Sequence, residues 1–246
     1  MPIRRSRFSK VRSISFILSL TGFFAIAAAA GPSPELTTLQ VGFRKYHRRP
    51  DTTQVLSGTI YYQRRNFLII RVQEPVNQWL EVRNAECAFY YPDDNWAFRF
   101  LSDQPIVLPV VELFLSAVDP DFGLTALGYV LAETGKKGDT LTMVWTTGPV
   151  LSADAPRYRV SVTGRKLVAA VWETSAGAVL VRSWFYDHRE HNRVFFPLGV
   201  TSEAIEAGDT LRDEIVYTDP GFDRPLPDSI LRFKIPADAR VDTVRW

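Results

Sequence analysis

Residues 63–75, QRRNFLIIRVQEP, constrain the fold more than any other stretch of this chain. A strand that covers a core on one face and meets water on the other alternates apolar and polar side chains. Phe67, Leu68, Ile69 and Ile70 are apolar on both faces, and only afterwards does alternation return. A strand of this kind needs a cover on each side.

The rest of the sequence limits what those covers can be. Strands are expected at 55–62, 67–73, 78–82 and 87–91, with short separators that point to antiparallel hairpins. Trp96, Phe98 and Phe100 then share one side of an alternating run. Further strands are expected at 129–133, 140–146, 157–163, 167–174, 179–187, 193–197, 210–217 and 229–235, several of them separated by glycine-containing turns. Helices are few. Leu36, Leu39, Phe43 and Tyr46 recur at steps of three and four, which predicts a helix over 34–47. Val110, Leu113, Phe114, Ala117 and Val118 predict a second helix over 109–118, opened by Pro109, and a shorter segment is expected over 123–127. Two or three short helices cannot cover both faces of some ten strands. Either the sheet curls until it nearly closes, or part of its concave face is kept for an apolar ligand, as in small curved barrels. Periodicity alone leaves a packed β-sandwich equally open.

The first thirty residues have a different character. Arg4, Arg5, Arg7, Lys10 and Arg12 precede a mostly apolar stretch that ends in Ala28-Ala29-Ala30, the layout of a cleaved secretory signal peptide. Residues 1–30 are read as that signal and 31–246 as one mature domain, with no lipoprotein cysteine at the junction. An uncleaved anchor would need a longer apolar stretch. The whole chain has 29 basic and 27 acidic residues. Without the signal, 24 basic residues face 27 acidic ones, a net charge of −3, so the basic balance gives no reason to expect nucleic acid. Cys87 is the single cysteine; it allows no internal disulfide and reads as a buried, inert thiol.

Catalytic signatures are lacking. The sequence has no G-x-S-x-G elbow, phosphate loop or dinucleotide fingerprint. Asp187, His188, Glu190 and His191 crowd into YDHREHN, but histidines three apart at a strand end point in different directions. They read as a solvated hairpin end, and no metal, cofactor or enzymatic reaction is expected.

Several landmarks stand in a recognisable order: Ser57-Gly58-Thr59, Arg64-Arg65-Asn66-Phe67-Leu68, Pro75, Arg83-Asn84, and Phe89-Tyr90-Tyr91-Pro92. Near the other end, LRFKIPADARV runs from Leu231 to Val241. In this order and spacing the chain resembles the LolA-like family, the periplasmic carriers of outer-membrane lipoproteins. Arg65 stands where that family has proline, and Asn84 where a turn glycine is usual. The resemblance implies a mainly β (α+β) fold: an incomplete, strongly curved antiparallel β-barrel, with an N-terminal helix and mid-chain helices closing the concave face. It also implies a soluble, monomeric periplasmic protein that shields acyl chains and carries them towards the outer membrane. Its partners would be acylated lipoproteins or lipids, an inner-membrane lipoprotein-releasing ABC transporter and an outer-membrane acceptor. Leu68, Ile70, Trp79, Phe89, Leu113 and Phe114 would line the cavity, and Arg64 would latch the helical lid. Two alternatives stay open: a carrier of a phospholipid or glycolipid, and a regulatory binding module of the envelope-stress response.

Overall fold

Between Thr38 and Arg49 the apolar side chains fall on alternate positions. Leu39, Val41 and Phe43 are all buried. A helix over 34–47 would have turned Val41 away from the stripe formed by Leu39 and Phe43. The segment is instead strand β1 (Thr38–Arg49), paired on both sides. The helical spacing of Leu36, Leu39, Phe43 and Tyr46 was a coincidence that tertiary pairing overrode. The computed structural model describes residues 36–49, 52–64, 67–83, 85–101, 121–125, 128–148, 156–206 and 209–245.

Five strands follow β1 as successive antiparallel hairpins: β2 (Thr52–Gln63), β3 (Phe67–Glu74), β4 (Gln78–Arg83), β5 (Glu86–Tyr91) and β6 (Trp96–Leu101). A second meander contains β7 (Tyr129–Lys137), β8 (Thr140–Thr147), β9 (Arg157–Thr163), β10 (Lys166–Glu173), β11 (Val179–His191), β12 (Val194–Glu206) and β13 (Asp209–Phe222). Pairing of β1 with β13 joins the two. The strand order is β14-β6-β5-β4-β3-β2-β1-β13-β12-β11-β10-β9-β8-β7, with β14 (Arg240–Arg245) parallel to β6. The result is one curved, unclosed, essentially antiparallel sheet. Residues 102–128 therefore connect β6, near one edge, to β7 at the other. The helix expected over 109–118, with Leu113 and Phe114, lies outside the described residues. Residues 121–125 form turns rather than a helix, with Phe122 and Gly123 both at positive φ.

The strand expected at 229–235 is replaced by a short helix, α1 (Asp228–Leu231). Pro227 before it has φ −58°, a value that suits helix entry. Strand β14 is not legible in the sequence, because its Val241 and Val244 are exposed and its pairing with β6 alone defines it.

Both faces of β3 are buried, by different partners. Leu68 and Ile70 join the main core with Leu39, Val41, Ile60, Tyr62 and Leu80 on the inner face of the sheet. Phe67 and Ile69 join a smaller outer cluster with Tyr61, Leu226 and Ile230. Phe233 extends that cover by stacking on Trp79, ring centroids 4.4 Å apart and nearly parallel. The C-terminal segment around α1 thus supplies the second cover that the FLII run demanded.

Cys87 is fully buried in the inner core, and burial, reinforced by the neighbouring Glu86 charge, pushes its thiol up to about 12. The thiolate is the reactive form. Titration with an aromatic disulfide reagent is expected to find no reactive thiol in the folded protein and one after denaturation.

Asp223 ties three segments together. Its carboxylate accepts from Thr37 N at 2.8 Å, from Thr37 Oγ1 at 2.7 Å and from Thr38 N at 3.4 Å, and it meets His191 Nε2 at 2.9 Å. Burial pushes the carboxyl up, but the hydrogen bonds from Thr37, His191 and Thr38 outweigh it and hold it at about 2, against an ordinary 3.8. A carboxylate depressed on folding contributes stability above its unfolded value and loses it as pH falls towards the folded value. Asp223→Ala is expected to cost about 1–2 kcal/mol at neutral pH, allowing for solvent screening. It should also flatten the loss of stability between about pH 4 and pH 2 in urea denaturation curves.

Candidate ligand-binding site

The inner face carries a transverse row of paired residues across six strands. Val160 (β9) lies opposite Ala170 (β10), Ala170 opposite Ser183 (β11), and Ser183 opposite Ser202 (β12). Ser202 lies opposite Asp213 (β13), and Asp213 opposite His47 (β1). Two residues further along the strands runs a second row: Tyr158, Trp172, Val181, Ala204 and Leu211. The first row is small at Ala170, Ser183 and Ser202, and the second at Ala204. Ala170, Ser183, Ser202 and Ala204 cannot fill the space that larger side chains fill elsewhere on this face. A third row, Phe185, Val200 and Ile215, returns to large buried residues.

A cavity of about 270 Å³ stands over the small residues. The two rows form its floor, and Phe122 and Leu124 from the connection between the meanders also line it. Its volume is near the lower end of the range for small-molecule sites, roughly 300–1,000 Å³. The lining is mostly apolar. Tyr158 and Trp172 stack with centroids 5.9 Å apart and planes 10° from parallel.

Beside the Tyr158 hydroxyl and the Trp172 indole N–H, the polar groups of the described lining stand in two places. Ser183 Oγ and Ser202 Oγ are 2.8 Å apart and both residues are buried. At the β13–β1 end, Asp213 Oδ1 is 2.5 Å from His47 Nδ1 and Asp213 Oδ2 is 2.6 Å from Lys45 Nζ. Arg49 Nε donates to His47 Nε2 at 3.2 Å.

The residues singled out from the sequence fall in several places. Leu68 and Ile70 are in the inner-face core on β3, and Phe89 packs against the same core, edge-on to Phe100. These three are not among the residues that line the cavity. Trp79 is on the opposite face, stacked on Phe233, so it does not share a surface with Leu68 and Ile70. Arg64 stands in the turn after β2, its backbone N–H donating to Thr37 O at 2.9 Å. The histidines of YDHREHN separate: His188 Nε2 bonds Leu167 O, and His191 meets Asp223 and stacks on Phe222. Among the described residues no group of His, Cys, Asp and Glu could hold a metal ion. Sequence reasoning missed Ala170, Ser183, Ser202 and Ala204. Their signal was a small residue on the inward phase of neighbouring strands, visible only once the register is known.

No family model matches the sequence, and no curated protein matches it. The structure, by contrast, has clear likenesses. A LolA superfamily protein from Nitrosomonas europaea superposes with a TM-score of 0.55 at 16% identity, covering 80% of this chain and 90% of that one. The chain has a LolA-like fold. A DUF1329 family protein from Desulfovibrio piger gives a TM-score of 0.59 at 10% identity, covering 80% of this chain and 90% of that one. A putative outer membrane lipoprotein-sorting protein domain from Vibrio parahaemolyticus gives 0.55 at 8% identity, with 79% and 89% covered. The LolA-like architecture read from Gly58, Arg64, Pro75 and Pro92 is thus met at the level of the fold. Among the described residues no helix is long and apolar enough to cross a membrane.

Proposed function

We propose that this protein is a periplasmic carrier that shields the acyl chains of lipoproteins or related lipids in the cavity on the inner face of its sheet. The observation that carries this reading is the apolar hollow over Ala170, Ser183, Ser202 and Ala204, set in a LolA-like, unclosed sheet. The Vibrio relative, named for lipoprotein sorting, supports the same direction. In this reading residues 1–30 direct export and are removed, and a donor in the inner membrane and an acceptor in the outer membrane are the partners.

The energetics explain the need for a cover. Each buried methylene is worth about 0.8 kcal/mol, so a sixteen-carbon chain costs roughly 12 kcal/mol to expose to water. A delivery protein must also release its load. A lid that closes over the empty cavity competes with the ligand and lowers net affinity. Arg64 is proposed as the latch of such a lid, since its guanidinium offers five donors in a rigid fork. Arg64→Leu is then expected to slow ligand release by several-fold in a transfer assay, and unchanged loading and release rates would remove that role.

The direct test is to purify the protein under native conditions and identify co-purifying material by mass spectrometry. Acyl-chain compounds or lipoproteins are expected. A stable protein that neither retains nor binds any acylated compound would overturn the reading.

A further inference from the structure

The floor of the cavity changes polarity in one direction. From β9 to β1 the first row reads Val160, Ala170, Ser183, Ser202, Asp213, His47. Its first two members are apolar, the next two are hydroxyls, and the last two belong to an ionic group with Lys45 and Arg49. Adjacent strands are about 4.8 Å apart, so the gradient extends over about 24 Å.

Each polar step has spare capacity. The serines share one hydrogen bond, in which one hydroxyl donates and the other accepts. Two hydroxyls carry two protons, so one O–H remains to be placed. Both residues are less than 10% exposed and both line the apolar cavity. A buried donor of this kind calls for an acceptor. At the ionic end, the ammonium of Lys45 pairs with the Asp213 carboxylate and the guanidinium of Arg49 donates to His47, so two cations stand with one carboxylate. Those groups sum to one positive charge.

We infer that the cavity holds an acyl-ester amphiphile across the strands, with its tail over Val160 and Ala170, its ester carbonyl at Ser183–Ser202 and an anionic head at Lys45 and Arg49. This deepens the carrier reading and rests on it. The chemistry separates such a ligand from an uncharged acyl chain, which would leave the hydroxyl and the excess positive charge unanswered. It also separates it from a free anion, which would leave the apolar floor empty.

The test is calorimetric titration of the full protein, below the micellar concentration, with three single-chain probes: palmitoyl lysophosphatidate, its ether-linked counterpart without the carbonyl, and monopalmitoylglycerol without the phosphate. Loss of the carbonyl is expected to weaken binding about five- to tenfold, as for one hydrogen bond. Loss of the phosphate is expected to weaken it about tenfold, more at low salt. The double variant Ser183→Ala, Ser202→Ala removes both partners of a buried pair, a change that is close to neutral for folding. It should keep its melting temperature and bind ester and ether probes equally. Lys45→Met with Arg49→Gln should erase the preference for phosphate and keep that for the ester. Equal binding of all three probes by the wild type would overturn this inference while leaving the carrier reading intact. Binding of none would overturn both. Competition by inorganic phosphate alone would show a free-anion site and overturn the orientation proposed here.

Discussion

Gly58→Val is expected to destabilise the protein by about 3 kcal/mol or more, read as a shift of the urea denaturation midpoint with little change in slope. Gly58 lies in β2 opposite Phe43 of β1, next to a register irregularity between Ser57 and Gly58 in the pairing with β3. A Cβ placed there would come within 2.0 Å of the Arg71 carbonyl oxygen and 2.9 Å of Phe43 Cε1. The first contact is with backbone, so the strand itself would have to move. Relief of that clash would disturb the β1–β2–β3 pairing and the burial of Phe43 and Val72. Gly135, around which a Cβ meets nothing, is the control: its substitution by alanine should change stability by less than about 1 kcal/mol. Equal tolerance at both positions would show that the backbone near Gly58 relaxes freely.

Ala170→Phe is expected to weaken acyl-chain binding about a hundredfold or more. Ala170 lies between Val160 and Ser183 in the row that floors the cavity, so a phenyl ring there takes the space proposed for the ligand tail. Exclusion of four methylenes corresponds to about 3 kcal/mol, which is about a hundredfold in affinity. The ring enters a hollow instead of a packed core, so the melting temperature should stay within a few degrees of the wild type. Leu68→Ala, in the same inner core but outside the cavity lining, separates the alternatives. It is expected to cost about 2–4 kcal/mol of stability with acyl affinity kept. Binding that survives Ala170→Phe and fails in Leu68→Ala would move the ligand to the β3–β5 half of the sheet. Calorimetry and thermal melts on the two variants decide between these outcomes.

The contrast between the two halves shows why the fold was more legible than the site. The FLII run could be read directly: four apolar residues in a strand need two covers, and the structure supplies the inner core for Leu68 and Ile70 and the 226–233 segment for Phe67 and Ile69. The helix expected over 34–47 failed because Leu39 and Phe43, four residues apart, share a face in a helix and in a strand alike. Val41 decided between them, and only through burial beside β2 and β13. The resemblance put Trp79 among the cavity residues, yet strand alternation sends it to the face that Phe233 covers.

From the sequence alone followed the strand-rich, antiparallel architecture, the need for covers on both faces of β3, the burial of Cys87 and the likeness to LolA-like proteins. Alternation, turn residues and composition act over a few neighbouring residues, and those a sequence displays. The location of the cavity belonged to the tertiary structure. Ala170, Ser183, Ser202 and Ala204 are unremarkable one at a time, in strands up to 34 positions apart in the chain. The pairing of β10 with β11 and of β11 with β12 aligns them. Because side chains alternate between faces, a one-residue slip in either pairing would turn one set outward and close the hollow.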